Sequence, residues 1–373
     1  MALRISLIAA LVAALVVPLA ALSCRGGRSR TAREVPAAES DTVAVRVSVD
    51  SSRRDIIVLA GPFRLLAATA GHHAHSAHTG SSHTAQSLRF DWPVAGWFRG
   101  YELTILDARG APLPRSLVHH LVVANLDRRQ LLYPTAERLL AVSLETGAAE
   151  VPSLIGIPLR PGQHLAMYMA WRGDTGRDVG NVYLRLRLSW TAEGRWPRPV
   201  DVLPIYMDVN YVSGGSSAYD LPPGRSAAGF HFRPPVSGRL LGVSGHLHDF
   251  GLSVRLEDEE TGRTLVVVHA KRDTAGRIVR MEQKKLLGIL GLGIPLRAGH
   301  RYRLVGEYDN PLGDTLRLGA MTHMAGVFAP DSLGAWPPID PGNAEYQRDL
   351  AAMREIAPAM RRAARPASLR RTR

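Results

Sequence analysis

Two histidines stand two residues apart in Val243-Ser244-Gly245-His246-Leu247-His248-Asp249-Phe250-Gly251, and the run that follows, Leu252-Ser253-Val254-Arg255-Leu256-Glu257, alternates apolar and polar residues. Such alternation reads as a strand, on which residues i and i+2 face the same side with Cα atoms roughly 6.6–6.8 Å apart. Imidazoles at that spacing can meet on one metal ion, whose nitrogen ligands stand about 2.0–2.1 Å away. The competing reading is a pair of hydrogen-bonded residues at a sheet rim. Further on, Ala320-Met321-Thr322-His323-Met324 supplies thioethers. Thioether sulfur is soft and selects Cu(I), so His246 and His248 with Met321, or with Met324, suit a copper that changes oxidation state. Ordinary core packing is the alternative for either methionine.

A second pair, His119-His120, is adjacent. Neighbours on a regular strand point to opposite faces, so both reach one ion only across a bulge or at a strand end. One buried and one exposed ring is the plain reading. Five more of the 14 histidines lie at His72, His73, His75, His78 and His83 among Gly, Ala, Ser and Thr. That composition cannot pack a core; it reads as a loop with loose metal affinity or as a linker with incidental histidines.

The elements that must position these residues are strands. The 373 residues carry 35 Gly and 25 Pro with few helix-like runs, which predicts an all-β chain of two antiparallel β-sandwich, jelly-roll-like domains. Strand patterns recur from Leu88, at 101–106, 119–124, 164–168 and 182–190, separated by turn signals such as Asp107-Ala108-Arg109-Gly110. Gly156-Ile157-Pro158-Leu159-Arg160-Pro161-Gly162 returns 137 residues later as Gly293-Ile294-Pro295-Leu296-Arg297-Ala298-Gly299, each copy preceded by a histidine pair. This divides the chain into a tether region with the His-rich loop at 25–87, in which 43–47 and 56–59 read as strands, a first sandwich at 88–196, a second at 197–330 bearing the His-x-His/Met site, and a Pro-rich segment with a basic tail at 331–373. Within the last, 345–362 reads as a helix. Asp258-Glu259-Glu260-Thr261-Gly262 and Tyr308-Asp309-Asn310-Pro311 read as turns.

The single cysteine, Cys24, follows Arg4 and an apolar run from Ile5 to Leu22. That pattern is a secretory signal over residues 1–24, and Ala21-Leu22-Ser23-Cys24 looks like a bacterial lipoprotein processing site. The expectation is an exported protein, lipid-anchored at a bacterial membrane through Cys24. The net charge of +13 comes from 46 basic residues, of which three are Lys. Arginine is spread through every segment and interleaved with acids, unlike the one-faced basic stripe of a nucleic-acid binder, so no nucleic-acid partner is expected. There is no Gly-x-Ser-x-Gly elbow, phosphate loop or dinucleotide fingerprint.

The order His-His, His-x-His, Met across two tandem β-sandwiches resembles the type II copper, ascorbate-dependent monooxygenases, the family of peptidylglycine α-hydroxylating monooxygenase, over roughly Leu88 to Phe328. The resemblance implies copper at His246, His248 and Met321, where dioxygen is activated. It implies a second, electron-transfer copper at His119 and His120. A reductant such as ascorbate and a small-molecule or peptide substrate hydroxylated at a C–H bond follow from it. The chain departs from the family in two ways. Where a third histidine is expected it has Met169-Ala170-Trp171-Arg172, with His164 earlier on that strand and Met167 or Met169 as stand-ins, and neither domain has a cysteine. These departures put the second copper in doubt and leave a non-catalytic copper-handling protein, or a structural surface lipoprotein, as the alternatives.

Overall fold

The structure, a computed structural model, describes residues 43–65, 86–143, 146–171, 178–286 and 293–355. The signal segment with Cys24, the tether up to residue 42, the His-rich loop, Arg172 and the tail beyond Glu355 lie outside them. The described chain is almost entirely strand, with Ala344–Glu355 its only α-helix. No described helix is long and apolar enough to cross a membrane.

Alternation makes these strands. In Asp55–Leu65, Ile56, Val58 and Ala60 are buried while Asp55, Ile57 and Leu59 are half-exposed, so every second residue enters the core. Burying each large apolar side chain contributes roughly 1.5–3 kcal/mol before the entropy of ordering it is subtracted. In the first half, Ala44–Asp50, Asp55–Leu65, Val179–Ala192, Gly96–Leu106, Ile155–Leu159 and Val200–Asp201 lie side by side in one sheet. Gln86–Asp91, His164–Trp171, Val118–Arg129 and Ala136–Ser143 form the other. Leu103, Ile105, Leu186 and Leu188 of the first sheet share one core with Leu121, Val123, Leu165 and Met167 of the second. The sandwich thus takes in the strands at 44–65, which the sequence reading places in the tether region.

The second half repeats the plan. Leu203–Asp208, Thr322–Pro330, Gly238–Leu247 and Gln283–Lys285 form one sheet, with Ile294–Leu296 beside 238–240. Gly224–Phe232, Tyr302–Asn310, Gly251–Asp258, Arg263–Arg272 and Ile278–Met281 form the facing one. Strand pairing changes partners at Val202: Val200–Asp201 pairs with Ile155 and Gly156, and Leu203–Asp208 pairs with His323–Phe328.

The repeated heptapeptide folds alike in both places. Its strand pairs with the start of 96–106 in the first copy and of 238–247 in the second. Its last glycine, Gly162 or Gly299, takes the left-handed turn conformation at φ 84° or 72°. The next strand then pairs with 118–129 or with 251–258. Both histidine pairs consequently sit where the chain crosses from one sheet to the other, His119-His120 after the crossover and His246-x-His248 at its near side.

The acidic segment is the expected hairpin turn, with Gly262 at φ 66°. Tyr308 is a correction: 302–310 is a strand, and Tyr308 is buried at 1% exposure. The helix starts beside the expected position and packs Tyr346 and Met353 against Ala124, Ala136 and Ala166 on the outer face of the first half's second sheet. Its Asp349 grips the Arg138 guanidinium at 2.8 and 2.5 Å and accepts the Ala136 N–H at 3.0 Å.

Candidate metal centre

His246 ends the 238–247 strand, and the alternation there is strict: Val243, Gly245 and Leu247 face the core, while Ser244 and His246 are half-buried on the other face. Gly245 is required by that core contact, since a Cβ at 245 would stand 2.6 Å from Val254 Cγ1. His248 follows, 4% exposed, and the chain then reverses through Phe250 at φ 68°, with the Gly251 N–H donating to the His248 carbonyl at 3.1 Å. Across the ribbon His246 is paired with His323 and Leu247 with Thr322. One rung further, the His248 N–H donates to the Met321 carbonyl at 3.3 Å.

Four donor-bearing residues therefore occupy two successive rungs on one face: His246 opposite His323, His248 opposite Met321. The ring centres of His246 and His248 are 5.5 Å apart and those of His246 and His323 are 5.4 Å apart. Two imidazoles on one ion, each nitrogen about 2.0–2.1 Å from it, place their ring centres roughly 5 Å apart. The spacing fits a shared ion. The alternation also separates the methionines. Met324 is fully buried in the core beside Gly245 and Met207, whereas Met321 is half-buried on the histidine face.

The buried Tyr308 hydroxyl fastens the two rungs from behind. It accepts the N–H groups of Met321 at 3.1 Å and of His248 at 3.3 Å and donates to the Met321 carbonyl. Burial, and then the neighbouring Tyr219, push its pKa up, so it stays protonated. On the other flank Asp208, fully buried, pairs with His323 Nδ1 at 3.0 Å and accepts the Tyr206 hydroxyl at 2.7 Å. Burial opposes its charge, but His323 and hydrogen bonds from His323, Ser217 and Tyr206 hold the carboxyl below the ordinary carboxylate range. Tyr206 also contacts His323 Nδ1 directly.

His119 and His120 are both half-buried, with Nδ1 atoms 2.9 Å apart and ring centres at 5.0 Å. The one-buried, one-exposed expectation fails because of a bulge. His120 pairs with Ala170 and Val118 with Trp171, which leaves His119 as the extra residue. A separation of 2.9 Å matches an N–H···N hydrogen bond, and also two nitrogens about 2.0–2.1 Å from one ion at right angles. The stand-ins for the missing third histidine lie on the core face of the strand or far along it. Met167 and Met169 are fully buried core residues, and Ala170 occupies the rung beside His120. His164 begins its strand six residues from Ala170, roughly 20 Å at the strand rise, and is bonded to Asp127 at 3.1 Å.

Tyr133 of the first half reaches the second-half site. Its hydroxyl accepts the Asp208 N–H at 3.0 Å, and its ring lies 6.1 Å from Tyr206 and 3.8 Å from Tyr211, stacked on the latter. Tyr168, on the same sheet face as His120, lies near enough to Tyr206 to oppose its ionisation, after burial and Asp208. The histidine-bearing faces of the two halves meet through these tyrosines.

Among the described residues no three His, Cys, Asp or Glu side chains cage an ion as they stand. A metal at the second-half site therefore draws on the Met321 sulfur or on a turn of a ring. Sequence reasoning named His246, His248 and Met321 but missed His323, Asp208 and Tyr308. For His323 the signal was present, since Met321 and His323 repeat on one strand the i, i+2 spacing of His246 and His248.

No protein-family model matches the chain. No curated protein matches it. Solved structures to which it is similar include the major capsid protein P2 from bacteriophage PM2, at 11% identity over 73% of this chain and 98% of that one, TM-score 0.33. Another is the Sulfolobus Turreted Icosahedral Virus structure, at 8% identity over 86% of this chain and 98% of that one, TM-score 0.35. A third is PNGF-II, at 11% identity over 73% of this chain and 66% of that one, TM-score 0.39.

Proposed function

We propose that this chain is an exported copper-binding protein whose metal is held by His246, His248 and Met321, with dioxygen-dependent hydroxylation of a C–H bond as its activity. The observation that carries the reading is the pair of imidazoles 5.5 Å apart with Met321 opposite His248 on the same face. Two nitrogens and a soft sulfur suit a copper that changes oxidation state. Copper bound there supplies one-electron redox chemistry and a place for dioxygen. The protein's own part is to fix the ligands: the ribbon sets their spacing, Tyr308 ties the two rungs together, and Tyr133 and Tyr206 limit water on the neighbouring face. His119 and His120 would hold the electron-transfer copper that the family resemblance implies.

A second reading, non-catalytic copper handling, is favoured by one observation: the rung neighbours of His120 are Ala170 and Ser143, neither of which brings an imidazole or a thioether. Copper analysis of untagged protein lacking residues 71–84 tests both. At least one tightly held copper per chain is expected; close to one supports the second-half site alone, two supports binding at His119 and His120 as well, and none would sink the copper reading. Oxygen uptake with ascorbate and candidate substrates then separates the two, and complete absence of turnover by the copper-loaded protein favours handling over hydroxylation.

The two methionines give a sharper check. Met321→Leu is expected to weaken Cu(I) retention about tenfold, and to weaken Cu(II) less, because the sulfur is the soft donor. Met324→Leu, a core swap of similar volume, should cost under about 1.5 kcal/mol and leave copper affinity alone. Competition with a Cu(I) chelator reads both variants, and equal behaviour of the two would remove Met321 from the site.

A further inference from the structure

We propose that His323 is a further metal ligand, binding through Nε2 and oriented by Asp208, so that the second-half site offers three imidazoles with the Met321 sulfur at the fourth corner. This rests on the copper reading above and extends it. The residues form a rectangle: opposed residues across an antiparallel pair have Cβ atoms about 4.5–5.5 Å apart, and neighbours i, i+2 along a strand are roughly 6.6–6.8 Å apart. An ion above the centre of such a rectangle stands about 4 Å, measured in the sheet plane, from each corner, within reach of a histidine bound through Nε2 at about 2.0–2.1 Å. One pair of rings already leans that way. Along the strand, His246 and His248 are 5.5 Å apart at their centres, closer than the backbone spacing beneath them. Across the ribbon, His246 and His323 are 5.4 Å apart.

The flank of His323 is the independent observation. A fully buried carboxylate is costly unless it is paired and hydrogen-bonded. Asp208 is both, and its Oδ2 is occupied by His323 Nδ1 at 3.0 Å and by the Tyr206 hydroxyl at 2.7 Å, while Oδ1 accepts the Asn210 N–H at 2.9 Å. A carboxylate on Nδ1 fixes the tautomer that leaves the Nε2 lone pair available, which is how metal-bound histidines are commonly oriented. As the rings stand they do not cage an ion, so His323 closes on the metal by turning its ring on the Asp208 bond. A third nitrogen shifts the site's preference from Cu(I) toward Cu(II), because imidazole is a harder donor than the thioether.

The test uses the full chain with one equivalent of Cu(II) in the presence of a competing chelator that strips loose copper. Electron paramagnetic resonance counts the coupled nitrogens, and chelator titration reads the affinity. Wild type is expected to show three nitrogens, and His323→Gln, which keeps a donor for Asp208, two. Cu(II) affinity of His323→Gln should fall about 10–100-fold, with a smaller loss for Cu(I), and Asp208→Asn should keep three nitrogens while losing about tenfold. Copper retained by His323→Gln with an unchanged spectrum and affinity overturns the His323 assignment and leaves the His246, His248 and Met321 site standing. Wild type that holds no copper against the chelator overturns both. Should His323→Gln not fold, the wild-type spectrum decides alone, three nitrogens in favour and two against.

Discussion

Replacing His246 with alanine is expected to lower copper affinity more than about a hundredfold, roughly 2.7 kcal/mol of binding, while changing the melting temperature little. The size follows from position. His246 lies between the two other rings, 5.5 Å from His248 and 5.4 Å from His323. Its removal leaves those two at diagonal corners of the ribbon. The small effect on stability follows from its face: His246 is half-buried on the side of the sheet away from the core, and the core positions on either side of it are Gly245 and Leu247. His164→Ala is the matched control, an exposed histidine bonded to Asp127 on a distant strand end. Chelator competition beside a thermal melt decides. Equal losses for both variants would point to copper held loosely by scattered histidines, and an unchanged affinity in His246→Ala would remove the site.

How far the sequence reached is clearest at this ribbon. The His-x-His spacing and the alternation after it were enough to put two imidazoles on one strand face, because period two is a property of the backbone alone. The choice between Met321 and Met324 was harder. Residues three apart on a strand take opposite faces, but which face meets the core depends on the packing of 322–330 between 203–208 and 238–247, and no local pattern states that. His323 shares its face with Met321, and parity alone would have found it. Asp208 in Met207-Asp208-Val209-Asn210 carries no local mark; its histidine partner, His323, is 115 residues away, and only the pairing of 203–208 with 322–330 joins them. His119-His120 shows the reverse. Regular alternation predicts rings on opposite faces, and one bulge, set by the partner strand at Ala170 and Trp171, brings their Nδ1 atoms to 2.9 Å. The all-β architecture was legible because turn residues punctuate the chain at strand-length intervals and the heptapeptide at 156–162 returns at 293–299 with the same pairings. The strands at 44–65 show as strand patterns, but the His-rich segment separates them in sequence from the rest of the sandwich and so hides that they belong to it. Tyr308 reads as part of a turn because Asp-Asn-Pro follows it, yet the strand runs through Asn310.

That tyrosine carries the second large expectation. Tyr308→Phe should destabilise the protein by about 1–3 kcal/mol and weaken copper retention about tenfold, although residue 308 bonds only the backbone of the proposed ligands His248 and Met321 and none of their donor atoms. The ring is buried, and phenylalanine fills the same volume, so packing changes little. What is lost is one oxygen that accepts the N–H groups of His248 and Met321 and donates to the Met321 carbonyl. Leaving a buried donor unsatisfied costs roughly 1–3 kcal/mol for each. The His248 N–H keeps its bond to the Met321 carbonyl at 3.3 Å, while Met321 loses its acceptor, which sets the middle of the range. The backbone of 248 and 321 is then joined by one long hydrogen bond where there were several, and the rung holding one imidazole and the thioether is free to open. Ligands spaced by a loosened rung bind more weakly even though every donor atom is still present. Denaturant unfolding and chelator competition on Tyr308→Phe separate the two effects. A stability loss with copper affinity intact would mean that the tyrosine serves the fold alone, and that the ends of the 238–247 and 322–330 strands hold His248 and Met321 in place without it.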